Sequence, residues 1–215
     1  MIPVDHADMR LVGFILLLLV PLGVADGVIE GRGRYNSAFW TSDLYRKLDH
    51  IPGYARHWVW VGIGMTLLVA TATAGLSAFS VLLGQAGEGT LAAIAIGTFL
   101  LGAFGWVAGI FLQFGPVELA SRVQADTGAT PGWLEPMWTA AGWAETTYII
   151  LASVAYVVWG LGMVKSSFPA PWAGWASIVV GGLSVIGVIA FPSRLRFPQL
   201  PMLFPTVLGV ALVIV

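Results

Sequence analysis

The chain has 215 residues, of which 58% are hydrophobic and only 10% are charged. Soluble domains carry about 25% charged residues, and the mean hydropathy here is +0.86, so the composition indicates an integral membrane protein. A net charge of −1 offers no electrostatic basis for binding nucleic acid. Cysteine is absent, which excludes disulfides, thiolate nucleophiles, iron–sulfur clusters and Cys-ligated metals.

The hydrophobic pattern predicts an all-α, polytopic transmembrane helix bundle that forms one domain over residues 1–215. Six spans are predicted, at about 11–29, 57–83, 91–114, 137–164, 172–191 and 202–215. Pro21 predicts a kink in the first span, a tight turn is expected at 84–90, and Gly115-Pro116 predicts a break or bend after the third span. Within the connection 30–56, apolar spacing over 38–48 predicts one amphipathic helix on the membrane surface.

The last predicted span is short. Only residues 202–215 follow Pro201, whereas a spanning helix needs about 20 residues. A carboxylate that ends in hydrocarbon is costly. We therefore expect either that the natural C-terminus lies beyond Val215 or that the last helix is tilted or half-inserted.

Basic residues are unevenly distributed between the two predicted faces. Six spans place the connections 30–56, 115–136 and 192–201 on one side, which we call the basic face. It carries Arg32, Arg34, Arg46, Lys47, Arg56, Arg122, Arg194 and Arg196. The opposite face has only Arg10 and Lys165. The positive-inside rule therefore predicts a multi-pass protein of the cell (inner) membrane with the basic face in the cytoplasm and both termini outside.

The predicted fourth span contains a single charged residue, Glu145. A bare charge at membrane depth costs about 2.5–3.5 kcal/mol or more, so this carboxylate is expected to be protonated, paired or beside water. Trp143 and Tyr148 are near it in sequence and have hydrogen-bond donors. Two interpretations stay open: a neutral Glu145 that joins two helices, or an ionised proton or cation site.

Other acidic residues lie near the predicted helix ends on the basic face. Asp26 ends the first helix, and Glu118 follows the third with Arg122 at i,i+4 spacing. Together with Glu145, Trp143 and Tyr148, they predict a ligand or proton site in a polar pocket that opens to the cytoplasm. The alternative is that charges near helix ends reach the interface without any function.

The chain has three histidines, His6, His50 and His57. His6 and His57 lie on opposite predicted faces, so they do not form a haem pair. A single His-ligated pigment at His57, or a zinc site that includes His50 and His57, is the remaining cofactor hypothesis, and no HExxH spacing supports it. The alternative is an interfacial histidine beside Trp58; the cofactor is otherwise unknown.

Tryptophans near the predicted span ends are typical of an interfacial aromatic belt. They are Trp58, Trp60, Trp133, Trp138, Trp159, Trp172 and Trp175. Small residues such as Gly105, Gly109, Ser177 and Gly181 predict close helix contacts inside one bundle.

One tract carries a family resemblance. The stretch Trp159–Gly187, WGLGMVKSSFPAPWAGWASIVVGGLSVIG, resembles the helix, short basic turn and Pro/Trp/Gly-rich helix of small six-helix bacterial membrane proteins of unknown function. The resemblance implies six helices and a bacterial source, and it brings no functional residues.

Three function hypotheses follow, in this order. The first is a non-catalytic subunit or ligand- or cofactor-binding partner within a membrane assembly, with the lipid bilayer and other membrane subunits as partners. It is favoured because no phosphate-binding loop, dinucleotide-binding motif or nucleophile elbow occurs in the sequence. The second is a small proton-coupled transporter that uses Glu145. The third is a membrane enzyme that acts on a lipophilic substrate through His57 and nearby carboxylates.

Overall fold

A computed structural model describes residues 5–31, 55–190 and 200–215, with side chains for 5–25, 59–190 and 204–215. These residues form helices and turns, and no strand occurs among them. The helices are α1 (His6–Leu17), α2 (Leu19–Gly31), α3 (Ala55–Leu83), α4 (Gly89–Thr127), α5 (Leu134–Ser166), α6 (Pro171–Ala190) and α7 (Leu200–Ile214). The predicted surface helix over 38–48 and the stretch 191–199 lie outside the described residues.

Several helices have the length and composition that a membrane crossing requires. Four stretches of the described chain qualify: His6–Ala25, Val59–Thr127, Leu134–Ser166 and Pro171–Ala190. The second stretch contains both α3 and α4, and α7 belongs to the shorter apolar helices. The predicted all-helical architecture with long apolar helices is confirmed, whereas these lengths do not establish six spans.

The N-terminal helical stretch is interrupted at Leu18, between α1 and α2. A proline inside a helix has no N–H to donate to the carbonyl four residues earlier. Pro21 therefore leaves the Leu17 carbonyl without its usual donor, and the interruption falls directly after Leu17. Leu18 itself keeps helical dihedral angles, with φ −60° and ψ −20°, so the kink at Pro21 stays a prediction.

The chain reverses between α3 and α4 in the π-helical turn Gly84–Glu88. Gly87 has a φ of +104°, a conformation that glycine adopts without steric cost. At the other ends of the two helices, a Cβ placed on Gly62 would lie 3.2 Å from the Phe114 ring. The two helices are therefore antiparallel neighbours, and the predicted tight turn is confirmed.

Helix α4 does not end at Gly115-Pro116, and the predicted connection 115–136 is wrong in its first half. The helix continues to Thr127, and Gly128, with a φ of +72°, ends it. Buried side chains continue past the proline: Val117, Ala120 and Ser121. Because one proline removes only one helical hydrogen bond, the packing of this face outweighs the local signal.

Glycines let three pairs of antiparallel helices approach closely. A Cβ on Gly109 in α4 would lie 3.3 Å from the Ala141 carbonyl oxygen in α5. A Cβ on Gly160 in α5 would lie 2.7 Å from the Gly174 oxygen in α6, and one on Gly13 in α1 would lie 2.9 Å from the Gly209 oxygen in α7. The predicted close helix contacts are thus present within one bundle.

A buried hydrogen bond joins α5 to α3. The Trp159 indole N–H donates to the Ser80 hydroxyl oxygen at 2.9 Å, and Ser80 donates to the Leu76 carbonyl at 3.0 Å. Trp159 is fully buried, so its assignment to the interfacial belt is wrong. Other predicted belt members are exposed: Trp60, Trp133, Trp172 and Trp175.

An ion pair connects the α3–α4 turn to the end of α5. The Lys165 ammonium nitrogen lies 3.0 Å from the Glu88 carboxylate, whose side chain is largely buried. The turn Gly84–Glu88 and the C-terminal end of α5 therefore lie at the same end of the bundle.

We expect Ser80→Ala to lower the free energy of unfolding by about 0.5–1.5 kcal/mol, because the Trp159 indole N–H then lacks its acceptor. Unfolding in mixed detergent micelles, followed by tryptophan fluorescence, measures this. Ser184→Ala is the control, since the Ser184 hydroxyl donates to Val180 of its own helix. Equal effects of the two substitutions would contradict the importance of the interhelical bond.

Candidate functional site

Glu145 lies in the interface between α4 and α5. On α5 it falls into the heptad stripe of buried residues Ala141, Tyr148, Ala152, Ala155, Trp159 and Gly162. A Cβ on Gly109 of α4 would lie 3.9 Å from the Glu145 backbone nitrogen. The side chain is half-buried. Glu145, the charged residue in the middle of this apolar helix, thus lies on a helix-packing face.

Tyr148 lies one turn further along this stripe and is fully buried. Its ring stacks on Trp106, with centroids 4.5 Å apart and an interplanar angle of 22°, and meets Phe99 edge-on at 6.4 Å. Its hydroxyl oxygen has no hydrogen-bond partner among the described residues. Tyr148 therefore acts in the core chiefly through its ring.

Trp143 is separated from this interface. It is 70% exposed, and residues two apart on a helix do not face each other. The structure therefore brings Glu145 and Tyr148 to one face of α5 but leaves Trp143 on the outer surface.

The described part of the chain has a groove between α3 and α4, with a volume of about 410 Å³. Small-molecule sites commonly span about 300–1,000 Å³. Its lining residues come from one stretch of each helix: Val59, Gly62, Ile63, Thr66, Leu67, Ile110, Phe111, Phe114, Gly115 and Glu118. Eight of these ten have apolar side chains or are glycine. The sequence analysis identified Glu118 but missed the groove, because α3–α4 pairing leaves no signal in either helix alone.

Glu118 is the charged residue of the groove lining. Its carboxylate accepts a hydrogen bond from Arg122 one turn later, at 2.6 Å, as the i,i+4 spacing predicts. The Glu118 side chain is 24% exposed and the Arg122 side chain 74% exposed. The groove therefore ends at a carboxylate with a solvent-accessible guanidinium beside it.

The remaining predicted site residues are only partly described. Asp26 lies in α2 and His57 in the first turn of α3, but their side chains lie outside the described residues, as does all of His50. In the described part of the chain, no group of three or more His, Asp or Glu side chains is placed to hold a metal. The pigment and zinc hypotheses at His57 and His50 stay predictions.

No protein-family model matches the chain, and no curated protein or solved structure shows a significant similarity to it. The resemblance of Trp159–Gly187 and the bacterial source that it implies therefore stay predictions.

Replacing Tyr148 by phenylalanine should change the free energy of unfolding by less than about 1 kcal/mol, because the lost hydroxyl has no hydrogen-bond partner in the part of the chain that the structure describes. Tyr148→Ala should cost about 3–5 kcal/mol through lost ring contacts. Detergent unfolding of both variants measures the difference. A large loss in Tyr148→Phe would show that the hydroxyl makes a hydrogen bond that stabilises the fold.

Proposed function

We propose that this protein is a non-catalytic membrane protein that binds a lipid-like amphiphile in the α3–α4 groove, as a ligand-binding partner within a membrane assembly. The observation that carries the proposal is the groove itself, which is lined mostly by apolar side chains and has the Glu118 carboxylate at one end. An amphiphile needs this distribution: burial for its chain and a polar contact for its head.

The polar groups of the groove favour binding over chemistry. Thr66 and Glu118 are the polar side chains of the lining. The Thr66 hydroxyl donates to the Gly62 carbonyl of its own helix at 2.8 Å, and Glu118 accepts from Arg122. Neither arrangement activates a nucleophile through a neighbouring base. The groove also ends at Glu118 and not at Glu145, which favours ligand binding over a carrier that uses Glu145.

One flank of α6 supports contact with lipid or with another membrane subunit. Large apolar side chains are exposed at helical spacing along it: Trp172, Trp175, Val179, Leu183, Ile186 and Ile189. In water such a surface would drive aggregation, whereas hydrocarbon or a partner helix accommodates it.

The proposal includes six membrane crossings in the cell (inner) membrane, with the basic face in the cytoplasm. Its support is the antiparallel arrangement of the pairs α3–α4, α4–α5, α5–α6 and α1–α7, together with the bias of Lys and Arg toward one set of connections. Helix α7 has only 15 residues, so its crossing requires local thinning of the bilayer.

Filling the groove tests the proposed function. A Cβ on Gly115, which lines the groove, would meet no heavy atom within 4 Å. Gly115→Leu should therefore fold normally and place its side chain where the ligand chain lies. We expect the variant, purified in mild detergent, to lose most of the lipid that native mass spectrometry finds on the wild-type protein.

The matched control is Gly97→Leu on the same helix. Gly97 also has open space around its Cβ position, but it does not line the groove. This variant should retain wild-type lipid. Equal lipid retention in Gly115→Leu and Gly97→Leu would overturn the proposed function.

The cysteine-free chain allows a clean test of topology. Gln85 and Ala129 are exposed residues in the turns at opposite ends of α4. A membrane-impermeant maleimide should label Gln85→Cys in intact cells and label Ala129→Cys only in inverted vesicles. The reverse pattern would contradict the cytoplasmic basic face, and labelling of both from one side would contradict a membrane crossing by α4.

A further inference from the structure

The groove presents hydrogen-bond acceptors at its polar end, the two oxygens of the Glu118 carboxylate. The other polar side chain of the lining, Thr66, lies further along the groove and donates to the Gly62 carbonyl of its own helix. The Glu118 carboxylate only accepts. A head group that binds here must therefore donate hydrogen bonds, and a positive charge would strengthen them.

A second charge lies just beyond this acceptor set. Arg122 is one helical turn further toward the basic face and is far more exposed than Glu118. The guanidinium has five N–H donors, so pairing with Glu118 leaves others to contact an anion. The end of the groove thus offers an acceptor for a cation and, next to it, a donor for an anion.

We propose that the groove selects a phospholipid with a primary ammonium head group, that is, one of the phosphatidylethanolamine class. Its ammonium contacts the Glu118 carboxylate, its phosphate contacts Arg122, and one acyl chain lies along α3 and α4. The proposal rests on the proposed function and adds the chemical class of the ligand.

The arrangement discriminates against the other common membrane head groups. A phosphatidylcholine head has the same charges but no N–H to donate to Glu118. A phosphatidylglycerol head has no cation to pair with Glu118, so its phosphate would contact Arg122 beside a carboxylate that gains no partner from the lipid. Both lipids fit the apolar part of the groove equally well, so selection depends on the end formed by Glu118 and Arg122.

The apolar part of the groove has the length for a segment of one acyl chain. The lining residues run from Val59 to Leu67 on α3 and from Ile110 to Glu118 on α4. Eight residues of helix rise about 12 Å. The groove opens sideways, between exposed Ile63, Leu67 and Phe111, toward the surface that faces lipid.

A competition experiment tests the selection on the wild-type protein. The detergent-purified protein is mixed with equal amounts of dioleoyl phosphatidylethanolamine, its mono- and dimethylated forms, phosphatidylcholine and phosphatidylglycerol, and native mass spectrometry counts each bound lipid. We expect phosphatidylethanolamine to exceed phosphatidylcholine by about three- to fivefold, with a stepwise decline on methylation. Equal binding of all head groups, or preference for phosphatidylglycerol, would overturn the inference.

Substitutions then locate the selectivity. Glu118→Gln should abolish the preference for phosphatidylethanolamine but keep the total amount of bound lipid, because the groove stays intact. Glu135→Gln removes an exposed carboxylate at the start of α5, outside the groove, and should keep the preference. A preference that survives Glu118→Gln would overturn the assigned role of Glu118.

The two proposals fail in different ways. If Gly115→Leu loses lipid but the wild-type protein binds all head groups equally, the proposed function stands and the inference is wrong. If Gly115→Leu binds as much lipid as the wild-type protein, both the proposed function and the inference are wrong.

Discussion

The close approach of antiparallel helices at glycine is the constraint on which the bundle depends. Between apolar helices in lipid the hydrophobic effect contributes little, so dispersion contacts between near backbones hold them together. Such contacts require positions without a side chain, and the chain supplies them at Gly109, Gly160 and Gly13. The order of the bundle follows, with α5 packed between α4 and α6 and the N-terminal helix against α7.

The groove occurs where this pattern changes. Opposite Gly62 of α3, helix α4 places the Phe114 ring instead of a small residue. The ring packs against Gly62 and lines the groove together with other residues of both helices. Because α4 continues through Pro116, its next turn carries Glu118 to the end of that space. The continuous helix α4 thus contributes both apolar residues and the polar end of the groove.

The aromatic core shows how the bundle accommodates polar atoms away from the groove. Trp159 brings an indole N–H into the interior, and Ser80 of α3 accepts its hydrogen bond. Tyr148 instead buries a ring against Trp106 and leaves its hydroxyl without a partner in the described chain. Glu145 lies on the same α5 face, one turn before Tyr148. The α4–α5 interface is therefore a packing surface on which the polar groups of Tyr148 and Glu145 are costly to bury. The α3–α4 groove, in contrast, is accessible from outside.

Five features could be predicted from the order of the residues, because each depends on hydrophobic length, backbone conformation or i,i+4 spacing. They are the helical class, most helix bounds, the turn at Gly87, the Glu118–Arg122 pair and the presence of close-packing glycines. Three other features depend on contacts between segments that are distant along the chain. Packing of Val117 and Ala120 carried α4 past Pro116, and Trp159 was placed in the core by a partner 79 residues away. The groove is lined by residues of both α3 and α4, so it requires these two helices to pair. Contacts between distant segments leave no periodic signal, so no reading of either helix alone reveals them.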